Sequence, residues 1–142
     1  MTLALAESCT GGFIANQITN VPGASKIFLG GIVAYSNGVK IKFLDVRPKT
    51  LKKHGAVSEI VAREMAGGAR KKFGADFAIA VTGIAGPGGG TKEKPVGTVF
   101  IALASDFGTV VRHKLNCFGR EQFKEATARQ ALKLLLSQLT QM

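Results

Sequence analysis

Residues 76–83 read DFAIAVTG. The run is almost continuously apolar and of strand length, the pattern of a strand covered on both faces, and it is expected at the centre of a sheet. Just before it, residues 58–73 place Val61, Met65, Ala69 and Phe73 four apart behind Ser58, a suitable N-cap. That spacing predicts an amphipathic helix with its arginines and lysines outward, ended by Gly74. Just after it come a glycine-rich loop and then VGTVFIALAS (96–105) and GTVVRHKLNCF (108–118), two strand-like runs whose junction at Asp106-Phe107-Gly108 suits a hairpin. The last segment, 120–139, aligns Ala128, Leu132, Leu135 and Leu139 in one stripe and predicts a C-terminal helix. Toward the N-terminus, LALA (3–6) reads as a strand. FIANQITNV (13–21), with Ile14, Ile18 and Val21 near helical spacing, reads as a helix stopped by Pro22-Gly23. GGIVAYS (30–36) reads as another strand, and NGVKIKFLDV (37–46) as a turn with one or two helical turns before Pro48. Strands interleaved with helices, plus one hairpin, predict an α/β fold: a single-domain three-layer α/β/α sandwich with a mixed sheet over residues 1–142.

The totals agree with one domain: 142 residues, 46% hydrophobic and 20% charged, are enough to bury a core. No apolar run approaches the roughly 18 residues of a membrane span, and the N-terminus lacks the order of a signal peptide, so a cytoplasmic chain without membrane association is expected. Cys9 and Cys117 are too few for a disulfide framework, and with His54 and His113 they make no zinc spacing; no metal is expected. The net charge of +10 favours contact with phosphates. Thirteen of the nineteen cations are lysines scattered from Lys26 to Lys133, which reads as a solvated basic surface more readily than as a nucleic-acid footprint.

Three stretches carry candidate chemistry. In AESCTGG (6–12), Ser8 stands at a strand-to-helix seam, where free N–H groups and the helix dipole favour negative charge. Gly11 and Gly12 let the backbone approach a ligand, so N–H groups around Thr10, Gly11 and Gly12 are candidates to hold an oxyanion or another anion. A plainer reading, in which Ser8 or Thr10 caps the helix, fits the local pattern equally. In AYSNGVK (34–40), Tyr35 is the only tyrosine in a chain with nine phenylalanines and no tryptophan, and Lys40 follows past a turn. A serine activated by a neutral lysine is a route to acyl transfer, yet most lysines are simply surface residues. The third stretch, TGIAGPGGGTKEKPVGT (82–98), has six glycines and two prolines between strands. It fits neither a P-loop nor a dinucleotide fingerprint and is either a ligand loop or a long connection.

Together AESCTGG, YSNGVK, HGAVSE (54–59) and TGIAGPGGGTKEKPVGTV (82–99) stand in the order and spacing of the CinA C-terminal domain family, the nicotinamide-mononucleotide deamidases, which the chain resembles over about residues 3–139. The resemblance implies hydrolysis of the carboxamide of nicotinamide mononucleotide to nicotinate mononucleotide and ammonia, in pyridine-nucleotide recycling, with neither metal nor cofactor. It implies Ser8 as nucleophile, Lys40 as base and Tyr35 as an assisting hydroxyl. Thr82, Gly83 and Gly86 would shape the nucleotide pocket, and Arg120 would be a phosphate ligand. A pyridine mononucleotide is the expected small-molecule partner, a homo-oligomer is expected, and nucleic acid is not.

The chain departs from the family pattern in three places. It starts almost on the first strand, where the family has a further helix, which would leave one sheet face less covered or covered by a partner. Gly38 occupies a position where an acidic residue is common, and Phe118-Gly119 precede Arg120 in place of Gly-Asp. Two rival readings remain: a non-catalytic nucleotide- or nucleic-acid-binding protein linked to competence and DNA damage, and an enzyme whose nucleophile is Cys9.

Overall fold

In the computed structural model, which describes residues 1–142, the run at 76–83 forms a strand, Phe77–Gly83, in the middle of a five-stranded mixed sheet. In chain order the elements are β1 (Leu3–Glu7), α1 (Phe13–Thr19), a 3-10 turn (Ala24–Lys26), β2 (Phe28–Val33), α2 (Asn37–Leu44), α3 (Pro48–His54), α4 (Glu59–Phe73), β3 (Phe77–Gly83), β4 (Thr98–Ser105), β5 (Gly108–Leu115) and α5 (Arg120–Thr140). The sheet order is β2-β1-β3-β4-β5, with β2, β1 and β3 parallel and β4 and β5 antiparallel to their neighbours.

A strict alternation in the central strands determines the layers. Leu3, Leu5, Ile79, Val81, Ile101 and Leu103 face α1 and α5, where Ile14, Ile18, Phe123 and Leu134 complete one core. Ala4, Ala6, Ala78, Ala80, Ala102 and Ala104 face the other way, onto Val61, Met65 and Ala69 of α4 and Leu44 of α2. A run of alanines at the centre of this sheet face lets α4 sit close, while the bulky face carries α1 and α5. Both faces are therefore covered, and the uncovered face expected from the short N-terminus is not found. What the sheet leaves open is its two edges, β2 and β5.

Several local expectations hold. Ser58 caps α4 by accepting from Val61 N at 3.3 Å, and Gly74 ends it in the left-handed conformation. Ser105 pairs with Gly108, so the hairpin turns at Asp106-Phe107. Others need correction. The second strand begins at Phe28 and ends at Val33, three residues before the expected end. The helical turns expected before Pro48 are present as α2, and Pro48 itself opens α3, a helix not expected from the sequence, where its missing N–H costs nothing at the first helical position. Val21 lies beyond the end of α1 and is exposed, outside the expected stripe.

After β1 the chain passes to β2 on one side, then crosses back to place β3 on the other. The carboxyl ends of β1 and β3 thus flank a topological switch point, the place where open α/β sheets bind ligands.

Candidate active site

Ser8 follows directly on β1, at that switch point. The local fold there is set by Glu7, whose side chain is 2% exposed. One carboxylate oxygen accepts from Thr10 Oγ1 at 2.6 Å, Gly12 N at 3.2 Å and Ile14 N at 3.0 Å, and the other accepts from Ala15 N at 2.9 Å. Gly11 N donates to Ser8 O, and Gly11 and Gly12 both hold positive φ, so the turn from strand to helix is tight. The amino end of α1 is therefore already occupied by an internal anion. Thr10, Gly11 and Gly12, expected to meet a ligand, have their hydroxyl or N–H groups committed to Glu7 and Ser8 O, apart from the N–H of Thr10, and none of the three lines the cleft described below. Sequence reasoning passed over Glu7. Its signal was present: a lone acid ending an apolar strand immediately before a helix start.

Lys40 approaches Ser8 from α2. Ser36 caps this helix by accepting from Val39 N at 3.2 Å, and one turn in, Lys40 and Leu44 point inward, four apart. Lys40 is 1% exposed; its Nζ lies 3.0 Å from Ser8 Oγ and donates to the Tyr35 carbonyl at 3.1 Å. No carboxylate forms an ion pair with it. Burial lowers its pKa from the ordinary 10.5, and the one opposing influence is the charge of Cys9. That opposition is absent near neutral pH, because burial pushes the Cys9 thiol up to about 12 despite the N–H groups of Cys9 and Thr10, which favour the thiolate. Cys9 is a neutral thiol there and Lys40 carries no counter-ion, an arrangement that favours the free amine.

Tyr35 touches this pair through its main-chain oxygen. Its side chain is exposed on the wall of the cleft, and its hydroxyl has no hydrogen-bond partner in the chain.

The cleft above Ser8 has a volume of about 260 Å³, small for a ligand site. Ser8, Cys9, Tyr35 and Lys40 meet there with Thr82, Gly83, Gly86 and Arg120. Thr82 Oγ1 donates to the Ala56 carbonyl at 2.8 Å and fixes the segment after α3 as one wall. Lys94 Nζ donates to the His54 carbonyl at 2.6 Å, and the Arg120 guanidinium donates to the Gly86 carbonyl, so the glycine loop is held at both ends. Within that loop the N–H groups of Ala85, Gly86, Gly88 and Gly89 donate to nothing in the chain. All four residues line the cleft, and free backbone N–H groups in such a loop are candidates to hold an anion. No three His, Cys, Asp or Glu side chains gather anywhere to hold a metal ion, and no helix is long and apolar enough to cross a membrane.

The model of the CinA C-terminal domain matches residues 1–139. The chain belongs to that family. A CinA-like protein of Desulfotalea psychrophila is 52% identical over 141 residues, which is 99% of this chain and 34% of that protein. The CinA-like protein of Thermotoga maritima is 61% identical over 102 residues, 72% of this chain and 25% of its own length. The chain thus spans about a third or less of these relatives. Among solved structures, the competence/damage inducible protein CihA from Agrobacterium tumefaciens superposes with a TM-score of 0.94 at 43% identity, covering 96% of this chain and 84% of that one. A competence-damaged protein (CinA) superfamily protein from Escherichia coli gives 0.92 at 36% identity, covering 96% and 79%. These likenesses establish the single α/β domain and the family.

Proposed function

We propose that this CinA C-terminal domain is an amidohydrolase that removes ammonia from the carboxamide of a pyridine mononucleotide, nicotinamide mononucleotide being the expected substrate. One observation carries the reading: a buried lysine without a counter-ion lies 3.0 Å from the oxygen of a serine at the sheet's switch point. A purely structural lysine at this depth would destabilise the fold for no return, because its ammonium form is desolvated and unpaired.

The chemistry follows from that pair. Neutral Lys40 takes the Ser8 hydroxyl proton as Oγ bonds to the carboxamide carbon, and the carbonyl π electrons move to oxygen. The free N–H groups of the glycine loop and that of Thr10 are the donors open to that oxyanion, since the N–H groups of Gly12, Ile14 and Ala15 are committed to Glu7 and that of Gly11 to Ser8 O. Collapse breaks the C–N bond, and Lys40 returns its proton to the leaving nitrogen, which departs as ammonia. A water then attacks the acyl ester, giving a proton to Lys40, and Ser8 recovers a proton as nicotinate mononucleotide leaves. In this reading the exposed Tyr35 hydroxyl assists by ordering the water or the pyridine ring, and Arg120, on the cleft wall, binds the phosphate.

The test is ammonia release from nicotinamide mononucleotide by the purified chain, with Ser8→Ala and Cys9→Ala beside it. Turnover abolished in Ser8→Ala and largely kept in Cys9→Ala is expected. Binding and oxyanion donors survive the deletion, so weak residual activity is allowed, but a loss below about tenfold is too small for a nucleophile. The reverse pattern transfers the role to Cys9, and binding of the nucleotide without turnover supports the non-catalytic alternative.

A further inference from the structure

Both charged side chains on the wall of the cleft are cations: Lys40 and Arg120 line it, and no aspartate or glutamate joins them. Donors there also outnumber their partners. Lys40 Nζ donates to Ser8 Oγ at 3.0 Å and to the Tyr35 carbonyl at 3.1 Å, so the third N–H of its ammonium form meets no acceptor in the chain. In that form the Ser8 hydroxyl accepts from Lys40, and its own proton has no acceptor in the chain. The N–H groups of Ala85, Gly86, Gly88 and Gly89 are free as well. A lysine 1% exposed, inside a cleft lined by donors and without acids, lacks one negative charge. The proposed reaction makes that charge in place, because its product carries a carboxylate where the substrate carried a neutral carboxamide, on the very carbon that Ser8 attacks.

We propose that this cleft is a site for an aromatic carboxylate, in which the acid product supplies the counter-ion that Lys40 lacks and, by keeping that lysine protonated, inhibits its own formation. The identity of the acid rests on the amidohydrolase reading, whereas the carboxylate site rests on the lining of the cleft. Burial lowers the Lys40 pKa in the empty cleft, and a carboxylate within about 4–6 Å raises it again. Binding of the acid and uptake of a proton are therefore linked, and each strengthens the other. An ammonium cannot take the serine proton, so the bound acid fills the cleft and disables the base at once. The amide substrate carries no charge at that position, and its binding is not tied to a proton in this way. The other groups around Lys40 are already engaged or keep one charge state. Cys9 beside it is a neutral thiol, pushed up to about 12, and an arginine such as Arg120 keeps its charge throughout. Glu7 behind the turn is held by four donors, and on α4, which packs against α2, Glu59 bonds to Arg63 and Glu64 to Arg47 and Thr50. Tyr35 on the wall is the one phenol and is removed as a control below.

The experiment is calorimetric titration of nicotinate mononucleotide into the chain between about pH 7 and 9.5, in pairs of buffers with different heats of ionisation, so that affinity and proton uptake are read together without turnover. Over that range the acid's phosphate, whose second pKa is about 6, has already lost its proton. In the wild type, Kd is expected to rise with pH, approaching about tenfold per unit above the native Lys40 pKa, with up to about one proton taken up per acid bound. Lys40→Met is expected to bind about 10- to 100-fold more weakly at the low end, with a flat profile and no uptake. Tyr35→Phe is expected to keep the slope. Ser8→Ala retains Lys40 and cannot turn the amide over; on it the acid is expected to keep the slope and nicotinamide mononucleotide to show none. Acid binding with proton uptake in a chain that releases no ammonia would end the amidohydrolase reading and leave this site standing. A wild-type Kd that is flat with pH, a slope that survives Lys40→Met or is lost in Tyr35→Phe, or failure of the acid to bind overturns the proposal, whatever the ammonia assay shows.

Discussion

Replacing Glu7 by glutamine exchanges one oxygen for an NH₂ group and should cost this protein a large part of its stability. In the native chain one carboxylate oxygen accepts three hydrogen bonds and the other accepts one, all on a side chain 2% exposed. With its amide oxygen in the three-bond position, glutamine turns its NH₂ toward the N–H of Ala15, donor against donor. That bond is lost and a buried N–H is orphaned, which costs about 1–3 kcal/mol, while three charge-assisted bonds become neutral ones at up to about 1 kcal/mol each. The favourable pairing of a negative charge with the amino end of α1 goes as well, worth about 0.3–1 kcal/mol. These terms overlap, and a net loss of about 3–5 kcal/mol is expected, against a total near 5–15 kcal/mol for a domain of this kind. Thermal unfolding followed by circular dichroism should therefore show the midpoint about 10–17 °C lower. Since the same turn holds Ser8, ammonia release on the proposed reaction, measured well below the midpoint, should fall through kcat with KM little changed. A Glu7→Gln protein within about 0.5 kcal/mol of the wild type would refute the view that this carboxylate holds the turn together.

For Lys40, Lys40→Met and Lys40→Arg should each lower kcat by about 10²–10⁴-fold in the ammonia assay, because neither can accept the serine proton near neutral pH. Burial holds the native pKa below 10.5, so wild-type stability rises with pH from the native pKa up to about 10.5; denaturant titrations should find Lys40→Met more stable than the wild type at the low end of that window, with the gap closing at the high end. Arg120→Ala should lower kcat/KM for the mononucleotide by about 10- to 100-fold while barely affecting the riboside, and the difference should shrink with salt; equal losses would reduce Arg120 to its tether on Gly86. At Gly68, a Cβ would lie 1.8 Å from the Leu44 carbonyl oxygen, so Gly68→Ala should destabilise by about 3 kcal/mol and displace the helix that carries Lys40, whereas Gly67→Ala, with nothing within 4 Å, should stabilise by about 0.5–1 kcal/mol in the same melts.

The central strand, the hairpin, α4 and α5 were legible because their hydrophobic periods match the faces they bury. α2 was not, for a specific reason: its inward pair is Lys40 and Leu44, while Ile41 and Phe43 point outward. Hydrophobic periodicity assigns such a helix the wrong inner face, and it was the family resemblance that raised Lys40 above the reading as a surface lysine. α3 was hidden because its inner face buries Thr50 in place of a large apolar residue, which leaves no hydrophobic period to read. At the N-terminal turn, the residue types suggested donors waiting for a ligand. Whether such donors are free depends on where one carboxylate points, and spacing alone does not contain that. The pairing of Ser8 with Lys40, 32 residues apart, is likewise a product of the crossover between β1 and β3.

That crossover bears on how the chain is made. β1 emerges from the ribosome first among the strands, yet it belongs in the interior of the sheet, between β2 and β3. Its partner in β3 lies far along the chain, Leu3 pairing with Phe77, a separation that takes roughly 4–15 s to synthesise at about 5–20 residues per second. Throughout that interval LALA, with its apolar side chains and one unpaired flank, is exposed to whatever else the cell holds. The strand that places Ser8 is thus the part of the nascent chain most dependent on prompt completion, and slow translation between residues 34 and 77 should lower the yield of soluble protein more than slow translation after the hairpin.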